Sequence, residues 1–357
     1  MPLMLDSGAF SVWNSGAEID IRTYIDFCHQ HPGVSYYVCL DAIPGKPGLP
    51  NSRLPELVAA ACETSWNNYQ LMIKELPIEK VIPVFHRGED LKWLERYIEF
   101  GSPYVGLGQT CGFGSKDSQK RYLTGLQKLL FDGAGRPTVK THGFAVTSFQ
   151  LMKYQWWYSV DSASWLKQAA YGVIYIPKKR NGEFVYDEPP FLLNTSPKSP
   201  TRDERNTHYT TLSPTLRAWV DEYLQEKKLP VGEIEIVDVS SGYKKSPDEL
   251  WFDGKKNKVV RTVTPGVVTS HQWRFRANAG FIIRANQDLP VDHIYFAGGE
   301  GSIDDSVEFR LRRRLMSYHK IGMTTTTKGH KAFRKWTEIA PKQKIEPSGS
   351  MLTSTSS

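Results

Sequence analysis

Short apolar runs alternate with longer amphipathic stretches along roughly the first 170 residues of the chain. Six runs have the length and turn-rich borders typical of buried strands, and they lie at residues 3–10, 36–43, 81–86, 104–109, 138–146 and 157–161. Helical periodicity separates them, at residues 19–30, 54–76, 91–100, 117–131 and 148–155. This alternation predicts βα units and a parallel sheet with both faces covered.

A polar side chain lies at or just beyond the C-terminal end of each run: Asp6, Asp41, His86, Gln109, His142 and Asp161. In a (β/α)8 barrel of the TIM type, these strand ends surround one mouth, where barrel enzymes build their active sites. An open, doubly wound sheet also fits the alternation, but the sequence has neither a GxGxxG nor a Walker motif to support nucleotide binding on one. We therefore predict an α/β fold, and a (β/α)8 TIM-type barrel in particular.

The pattern becomes irregular after residue 176. Residues 177–203 are rich in Pro, Asn, Ser and Lys and predict a long loop, whereas residues 213–228 and 307–319 predict helices. Strand-like patterns follow at residues 233–239, 259–269, 273–284 and 293–297, and the middle two suggest a hairpin. We expect residues 1–185 to form the main βα part with the active site. Residues 186–344 then close the barrel and add a basic subdomain, and residues 345–357 form a disordered tail.

Charge divides the 357-residue chain unevenly. Residues 1–110 hold 8 Lys/Arg against 13 Asp/Glu, although the whole chain has a formal charge of +7. Two acid-free stretches, residues 255–284 and 310–335, hold seven and nine Lys/Arg. This pattern favours contact with a polyanion such as nucleic acid over an ordinary solvated basic face. The candidate phosphate-binding residues are Lys178, Lys179, Arg180, Arg274, Arg276, Arg312, Arg313 and Arg314.

Other classes of protein fit the sequence less well. The four cysteines are widely spaced, without a CxxC pair or zinc-finger spacing, which favours reduced thiols in a cytoplasmic protein and no bound metal. The apolar runs are too short for a membrane helix, and Met1 to Phe10 lacks the basic start of a secretory signal. We expect no membrane partner, and the oligomeric state stays open.

Asp6, in LDSGAFS, and Asp161, in YSVDSASW, are the strongest candidates for catalysis. Each acid follows apolar residues and precedes small ones, which let a ligand approach the backbone closely. A carboxylate in such a place can act as a nucleophile or as a general base. The structural alternative is that each acid caps a helix, and His86 and His142 are either pocket contacts or buried structural histidines.

Seven segments in order resemble motifs of the tRNA-guanine transglycosylases: LDSGAFS, CLDAIPG, VFHRG, YVGLGQ, HGFAVTS, SVDSASW and KKRNG. The resemblance covers about residues 3–185 and implies a role for each matched position. Asp161 is then the nucleophile, Asp6 the general acid/base and Asp41 the base-recognition acid. The further substrate-binding positions are Ser7, Gly8, His86, Gly106, Gly108, Gln109, His142 and Gly143.

Two departures from that family refine the expectation. The family's CxCxxC…H zinc cluster is missing, with a different basic stretch in its place, and we expect the chain to start at the first motif without the family's N-terminal extension. Within the matched motifs, His86 stands where the family has a glutamine. A compact, zinc-free chain resembles the phage-type DNA 7-deazaguanine transglycosylases. That likeness implies a pentosyltransferase that needs no cofactor or metal and acts in a bacterial or phage-infected cytoplasm. It exchanges guanine in DNA for a free 7-deazaguanine base, such as 7-cyano-7-deazaguanine.

Three other functions remain open. The same enzyme chemistry can act on tRNA, which is the second choice of substrate. A barrel glycoside hydrolase can use Asp6 and Asp161 as its carboxylate pair, although this function leaves the basic half of the chain unexplained. A nucleic-acid-binding protein with an inactive barrel predicts that Asp161→Ala and Asp6→Asn change no activity.

Overall fold

A computed structural model of the chain describes residues 3–45, 54–108, 115–154, 157–200, 202–252 and 256–296. The strands within these ranges are β1 (Met4–Leu5), β2 (Tyr36–Val38), β3 (Val81–Ile82), β4 (Val84–His86), β5 (Tyr104–Gly108), β6 (Lys140–Gly143), β7 (Trp157–Ser162), β8 (Val173–Ile176), β9 (Lys178–Arg180), β10 (Glu183–Val185), β11 (Phe191–Asn194), β12 (Glu233–Asp238), β13 (Leu250–Trp251), β14 (Lys258–Thr264) and β15 (Val291–Phe296). The α-helices are α1 (Ala9–Ser15), α2 (Ile21–His29), α3 (Pro55–Glu75), α4 (Leu91–Glu99), α5 (Lys116–Leu130), α6 (Phe149–Tyr154), α7 (Ser164–Ala170), α8 (Pro214–Glu226) and α9 (His271–Asp288).

Two parallel sheets follow each other along the chain. One has the order β1-β2-β3, and the other has five strands in the order β15-β7-β6-β5-β4. Only Pro83 separates β3 from β4, and its carbonyl accepts a hydrogen bond from the N–H of Gly106 at 2.8 Å. Because all these strands run parallel, their carboxyl ends point the same way within each sheet. The predicted parallel α/β fold is confirmed.

The inner faces of both sheets share one buried cluster. Met4 of β1 and Tyr295 of β15 belong to it, although these strands lie at opposite ends of the strand order. The hydroxyl of Tyr36 on β2 also lies 3.4 Å from that of Tyr158 on β7. The sheets therefore curve around a common interior. Within the described ranges no ladder of hydrogen bonds joins β1 to β15, so a closed eight-stranded barrel is not established.

Helix α3 illustrates how the outer layer packs. Pro55 occupies its first turn, where the missing N–H removes no helical hydrogen bond. Trp66 and Tyr69 lie one turn apart on its buried face. Both rings contact Tyr97 of α4, with centroids 5.5 and 5.3 Å away. Burying each such ring contributes about 2 kcal/mol to folding, which anchors two helices against the strands that carry the site.

The region from residue 177 to 203 is more ordered than its composition predicts. Strands β9 and β10 form an antiparallel hairpin, and β11 pairs with β8. The hairpin turn contains Asn181 and Gly182, with φ of 51° and 86°. Two left-handed residues in a two-residue loop match the twist of a hairpin, and Asn-Gly is the sequence that favours it. The prediction of a long loop is wrong because it rests on the Pro, Asn, Ser and Lys content of the segment and not on this Asn-Gly turn.

The strand predicted at residues 273–284 is also wrong, since these residues lie in α9. The alternation Trp-Arg-Phe-Arg at residues 273–276 imitates a strand. The longer spacing of buried Phe275, Asn278 and Ile282 follows a helix instead. The Asn278 amide fixes α9 to the parallel part, because it accepts from the N–H of Tyr175 and donates to the carbonyls of Trp165 and Val173.

Other expectations for the second half have mixed outcomes. Helix α8 and strands β12 and β15 are confirmed within two residues of the predicted bounds, whereas β14 begins within one residue of its predicted start but ends five residues earlier than predicted, at Thr264. Strands β12-β14-β13 form a separate antiparallel sheet. The predicted helix at residues 307–319 and tail at residues 345–357 lie outside the described residues. None of the described helices combines the length and the hydropathy needed to cross a membrane.

Candidate active site

Asp6 lies in the turn between β1 and α1. The N–H groups of Ser7 and Gly8 donate to its carboxylate, and Gly8 adopts a left-handed φ of 76°. Burial, and then the charges of Asp161 and Asp41, raise the pKa of Asp6 to about 7 in spite of those N–H groups. Asp6 can therefore both donate and accept a proton at neutral pH, and Asp41 and Asp161 lie near enough for their charges to act on it.

Asp161 is held by the loop that follows β6. Its Oδ1 accepts a hydrogen bond from the N–H of Ala145 at 2.7 Å and lies 3.5 Å from Nε2 of His142. Ala145 has a φ of 55°, a left-handed conformation that costs about 1 kcal/mol for a residue with a Cβ. Strain at this residue thus serves to aim its N–H at the carboxylate.

Neither acid is the helix cap that the structural alternative requires. The N-cap of α1 is Gly8 and the N-cap of α7 is Ala163, and neither cap makes a side-chain hydrogen bond. Ser7 is buried and its Oγ accepts from the N–H of Ala9 at 3.3 Å, so it stabilises the turn that carries Asp6. The two carboxylates are consequently available to the mouth instead of being used to begin helices.

A chain of hydroxyl groups lies behind His142. Its Nδ1 is hydrogen-bonded to Oγ of Ser159, which is in turn bonded to the hydroxyl of Tyr104. Burial raises the pKa of Tyr104 well above its usual value, so the phenol stays a donor. If Tyr104 donates to Ser159 and Ser159 donates to Nδ1, every hydroxyl proton is used. The ring proton is then on Nε2, directed toward Asp161.

His86 lies between two carboxylates. Its Nε2 is 3.0 Å from Oδ2 of Asp41, and its Nδ1 is 3.0 Å from Oε1 of Glu89. Burial alone lowers the pKa of His86, but the hydrogen bonds and charges of Asp41 and Glu89 outweigh burial and raise it to about 9. His86 is therefore an imidazolium at neutral pH, and Asp41 has a positive partner.

Sequence reasoning did not single out Glu89. Gly88, with a φ of 97°, turns the chain after β4 so that Glu89 folds back onto His86. The available signal was a buried-strand histidine followed three residues later by an acid in VFHRGE. That spacing alone does not distinguish a partner of the histidine from an acid at the start of the next helix.

Close packing explains why three positions predicted to contact substrate are glycines. A Cβ on Gly106 would lie 2.5 Å from the ring of Phe144, and one on Gly108 would lie 2.6 Å from the ring of His86. A Cβ on Gly143 would meet Val146 at 2.7 Å. These contacts leave no room for any larger residue, and a contact of these glycines with substrate stays a prediction. Gln109 lies outside the described residues.

Four of the predicted phosphate-binding residues are exposed or partly exposed. Lys178, Lys179 and Arg180 are exposed on β9, where they pair with Glu188 and Glu222 on the surface. Arg276 is partly exposed on α9, and its guanidinium lies 4.4 Å from the centre of the Trp273 ring. These four side chains can reach a polyanion. Arg312, Arg313 and Arg314 lie outside the described residues.

Arg274 corrects the sequence prediction. Its guanidinium is buried and donates to the carbonyl oxygens of Ala169 and Val267, at 2.8 and 2.9 Å. Burial lowers the pKa of Arg274 to about 10. Because the guanidinium is hydrogen-bonded to the end of α7 and to the loop before α9, it is not accessible to phosphate.

The described residues contain no cluster of three His, Cys, Asp or Glu side chains suited to a metal ion. Cys28, Cys39 and Cys62 are buried and free, and burial raises the pKa of Cys28 to about 12.

A comparison with protein-family models finds no match for the chain, and a comparison with curated proteins finds no significant similarity.

Proposed function

We propose that this protein is a transglycosylase that exchanges guanine in DNA for a free 7-deazaguanine base through a covalent aspartyl-glycosyl intermediate. The observation that carries the proposal is that Asp41 and Asp161 lie near enough to buried Asp6 for their charges to act on it, since burial and these two charges raise the pKa of Asp6 to about 7. Base exchange needs one nucleophile, one proton carrier and one acceptor for the purine edge, which are the roles these three groups can fill. The proposal includes completion of the parallel strands into a (β/α)8 barrel around this mouth.

In the first half-reaction, Asp161 attacks the anomeric carbon of a nucleotide whose guanine has been flipped into the mouth. The bond between the sugar carbon and N9 breaks, and its electron pair goes to the departing guanine. The ester bond to Asp161 forms through an oxocarbenium-like state. Asp6 gives its proton to guanine as the base leaves. The N–H of Ala145 keeps Oδ1 of Asp161 in place during this step.

In the second half-reaction, N9 of the incoming deazaguanine attacks the same carbon and expels the Asp161 carboxylate. Asp6, now ionised, takes the proton from N9. A carboxyl group with a pKa of about 7 suits both steps, because neither protonation state is costly at neutral pH. Since the two bases occupy one pocket in turn, ping-pong kinetics is expected.

Asp41 is the proposed acceptor for the N1–H and the 2-amino group, which guanine and the deazaguanines share. Its Oδ2 is engaged by His86, so its other oxygen is the one left for the base. An ionised acceptor favours a base with two adjacent donors and disfavours adenine, whose N1 is an acceptor. The recognition role of Asp41 is thus consistent with its partner.

The exposed cations of β9 and α9 support a polymeric substrate. Lys178, Lys179 and Arg180 follow the parallel part directly along the chain, and Arg276 adds a cation beside an indole ring. Their carboxylate partners must give way to phosphate, so binding is expected to weaken with salt. DNA is preferred to tRNA on the resemblance to zinc-free relatives, and the cytoplasm is the proposed compartment.

The test is mass spectrometry of nucleosides after DNA and tRNA are incubated separately with the protein and candidate deazaguanines. Deazaguanine nucleosides in DNA support the proposal, whereas their appearance only in tRNA moves the activity to the second substrate. Abasic sites that form without any added base indicate hydrolysis by the same carboxylates. A covalent adduct that persists in Asp161→Ala overturns the assignment of the nucleophile.

A further inference from the structure

Glu89 is a buried acid that takes no part in the two half-reactions above. Its carboxylate lies 3.0 Å from Nδ1 of His86. We propose that Glu89 is a positioning residue, which keeps His86 a cation so that Asp41 is held ionised and oriented for the purine edge. This inference rests on the proposed function for the role of Asp41. The electrostatic relay from Glu89 to Asp41 can be tested without it.

With both carboxylates ionised, the geometry requires a doubly protonated ring. Each ring nitrogen of His86 faces a carboxylate oxygen at 3.0 Å, and an ionised carboxylate can only accept hydrogen bonds. A neutral imidazole has one N–H, so one of the two short contacts would set a lone pair against an oxygen. The side chains of His86, Asp41 and Glu89 are 3%, 7% and 2% exposed, so solvent cannot relieve such an unfavourable contact.

The titratable groups described on the elements around this triad are mostly neutral or acidic. Cys62 of α3 and Tyr97 of α4 feel the charge of Glu89, and burial raises the pKa of each, so both stay neutral. Gly108 of β5 packs its backbone against the ring of His86, and Asp6 adds a further carboxyl group near Asp41.

Two cations close in sequence are used elsewhere. Arg87 donates to the Oγ of Ser118, and Lys92 lies 3.5 Å from Asp90 at the surface. Among all the groups named around the triad, the imidazolium is therefore the positive charge that balances Asp41. Removing the second carboxylate weakens the hold on that proton.

Glu89→Gln is the informative variant, because its amide oxygen can still accept from Nδ1 while the charge is lost. Glu95→Gln on α4 is the matched control, since Glu95 is exposed. The primary measurement is a pH titration of the histidine ring nitrogens by NMR in the full chain, with His86 assigned through His86→Gln. We expect both ring nitrogens of His86 to carry protons at pH 7 in the wild type and in Glu95→Gln. We expect the midpoint to fall by at least about one pH unit in Glu89→Gln.

A titration midpoint that is unchanged in Glu89→Gln overturns the proposal, as does a neutral His86 at pH 7 in the wild type. These outcomes do not depend on activity. In the exchange assay, Glu89→Gln should raise KM for the free base about tenfold at pH 8 and leave kcat within about twofold, with Glu89→Asp recovering part of the loss. A fall in kcat with an unchanged KM contradicts action through Asp41. If no form exchanges bases, the proposed function fails while the NMR result still decides the relay.

Discussion

Two buried histidines at the same end of the parallel strands have opposite surroundings. His86 lies between the carboxylates of Asp41 and Glu89, whereas His142 has a serine hydroxyl on one side and Asp161 on the other. The first arrangement produces a fixed cation, and the second places one ring nitrogen 3.5 Å from a carboxylate oxygen. The same side chain therefore serves two ends: it holds a charge beside the proposed recognition acid and orients the proposed nucleophile.

This difference matches what the two acids must do. A recognition acid such as Asp41 works best with a permanent charge, which a neighbouring imidazolium preserves. A nucleophile must give its electron pair to carbon, and a full cation beside it would reduce that tendency. The partners of Asp161, the N–H of Ala145 and the ring of His142, orient it without placing a second carboxylate behind the histidine.

The largest expected contrast is between the two acids. Asp161→Asn should lower the exchange rate by about 10⁴-fold and abolish any covalent adduct, because the amide cannot attack the sugar. The Asp41→Asn variant should still form the adduct. Its KM for the free base should rise about 100-fold, because the substitution removes a charged acceptor. The measurements are steady-state exchange and a denaturing gel of oligonucleotide adducts.

Melting curves of both variants provide the control for folding. If Asp41→Asn eliminates the adduct as completely as Asp161→Asn does, the division between recognition and attack is wrong. The two carboxylates would then act together on the sugar.

The histidines themselves give the next effect in size. Ser159→Ala removes the hydroxyl that is hydrogen-bonded to Nδ1 of His142 and should lower kcat about tenfold with KM nearly constant. His86→Gln keeps a hydrogen-bonding group but loses the cation, so it should raise KM about tenfold with kcat nearly constant. Steady-state kinetics with the free base varied at saturating DNA separates the two. Matching changes in both variants would show that the histidines are not specialised.

The sequence predicts which strand-end side chains come together better than it predicts the surface. Asp6, Asp41, His86, His142 and Asp161 were expected together because parallel strands bring their carboxyl ends to one edge, and the charge effects on Asp6 agree for three of them. Glu89 escaped prediction because its partner depends on the turn at residue 88, which apolar periodicity does not encode.

The errors in the second half have a related cause. Arg274 was assigned to phosphate on charge alone, but its place on α9 turns it inward to backbone carbonyls. Its neighbour Arg276, two residues on, remains partly exposed. Side chains two residues apart on a helix point about 200° apart around its axis. Basic residues that are close in sequence can therefore have unrelated roles.

The pH dependence of Asp6 distinguishes the two half-reactions. The pKa of Asp6 is raised to about 7, so its proton is present below that pH and lost above it. The kcat/KM for DNA needs the protonated acid and should fall above pH 7. The kcat/KM for the free base needs the ionised acid and should rise with pH toward a plateau. Because esterified Asp161 carries no charge, the second midpoint should lie below the first.

Asp41→Asn sharpens this test, because it removes another charge that raises the pKa of Asp6. The falling limb for DNA should then move to lower pH. Two limbs with the same direction would contradict a single acid/base that alternates between its forms. A limb that does not respond to Asp41→Asn would assign the titration to another group.

The smallest expected effect concerns the surface arginine. Arg276→Ala removes a cation stacked on Trp273 and should weaken DNA binding about two- to fivefold at low salt, with the salt slope reduced by about one. Fluorescence anisotropy of a labelled oligonucleotide over a salt series measures both quantities. Arg274 cannot serve as the partner control because its removal leaves a space in the core and takes one donor each from the carbonyls of Ala169 and Val267, which lowers stability. Exposed Arg22, paired with Glu75 at the surface, is the better control, and Arg22→Ala should leave the slope unchanged. An equal loss in both variants would mean that net charge, and not this part of α9, meets the DNA.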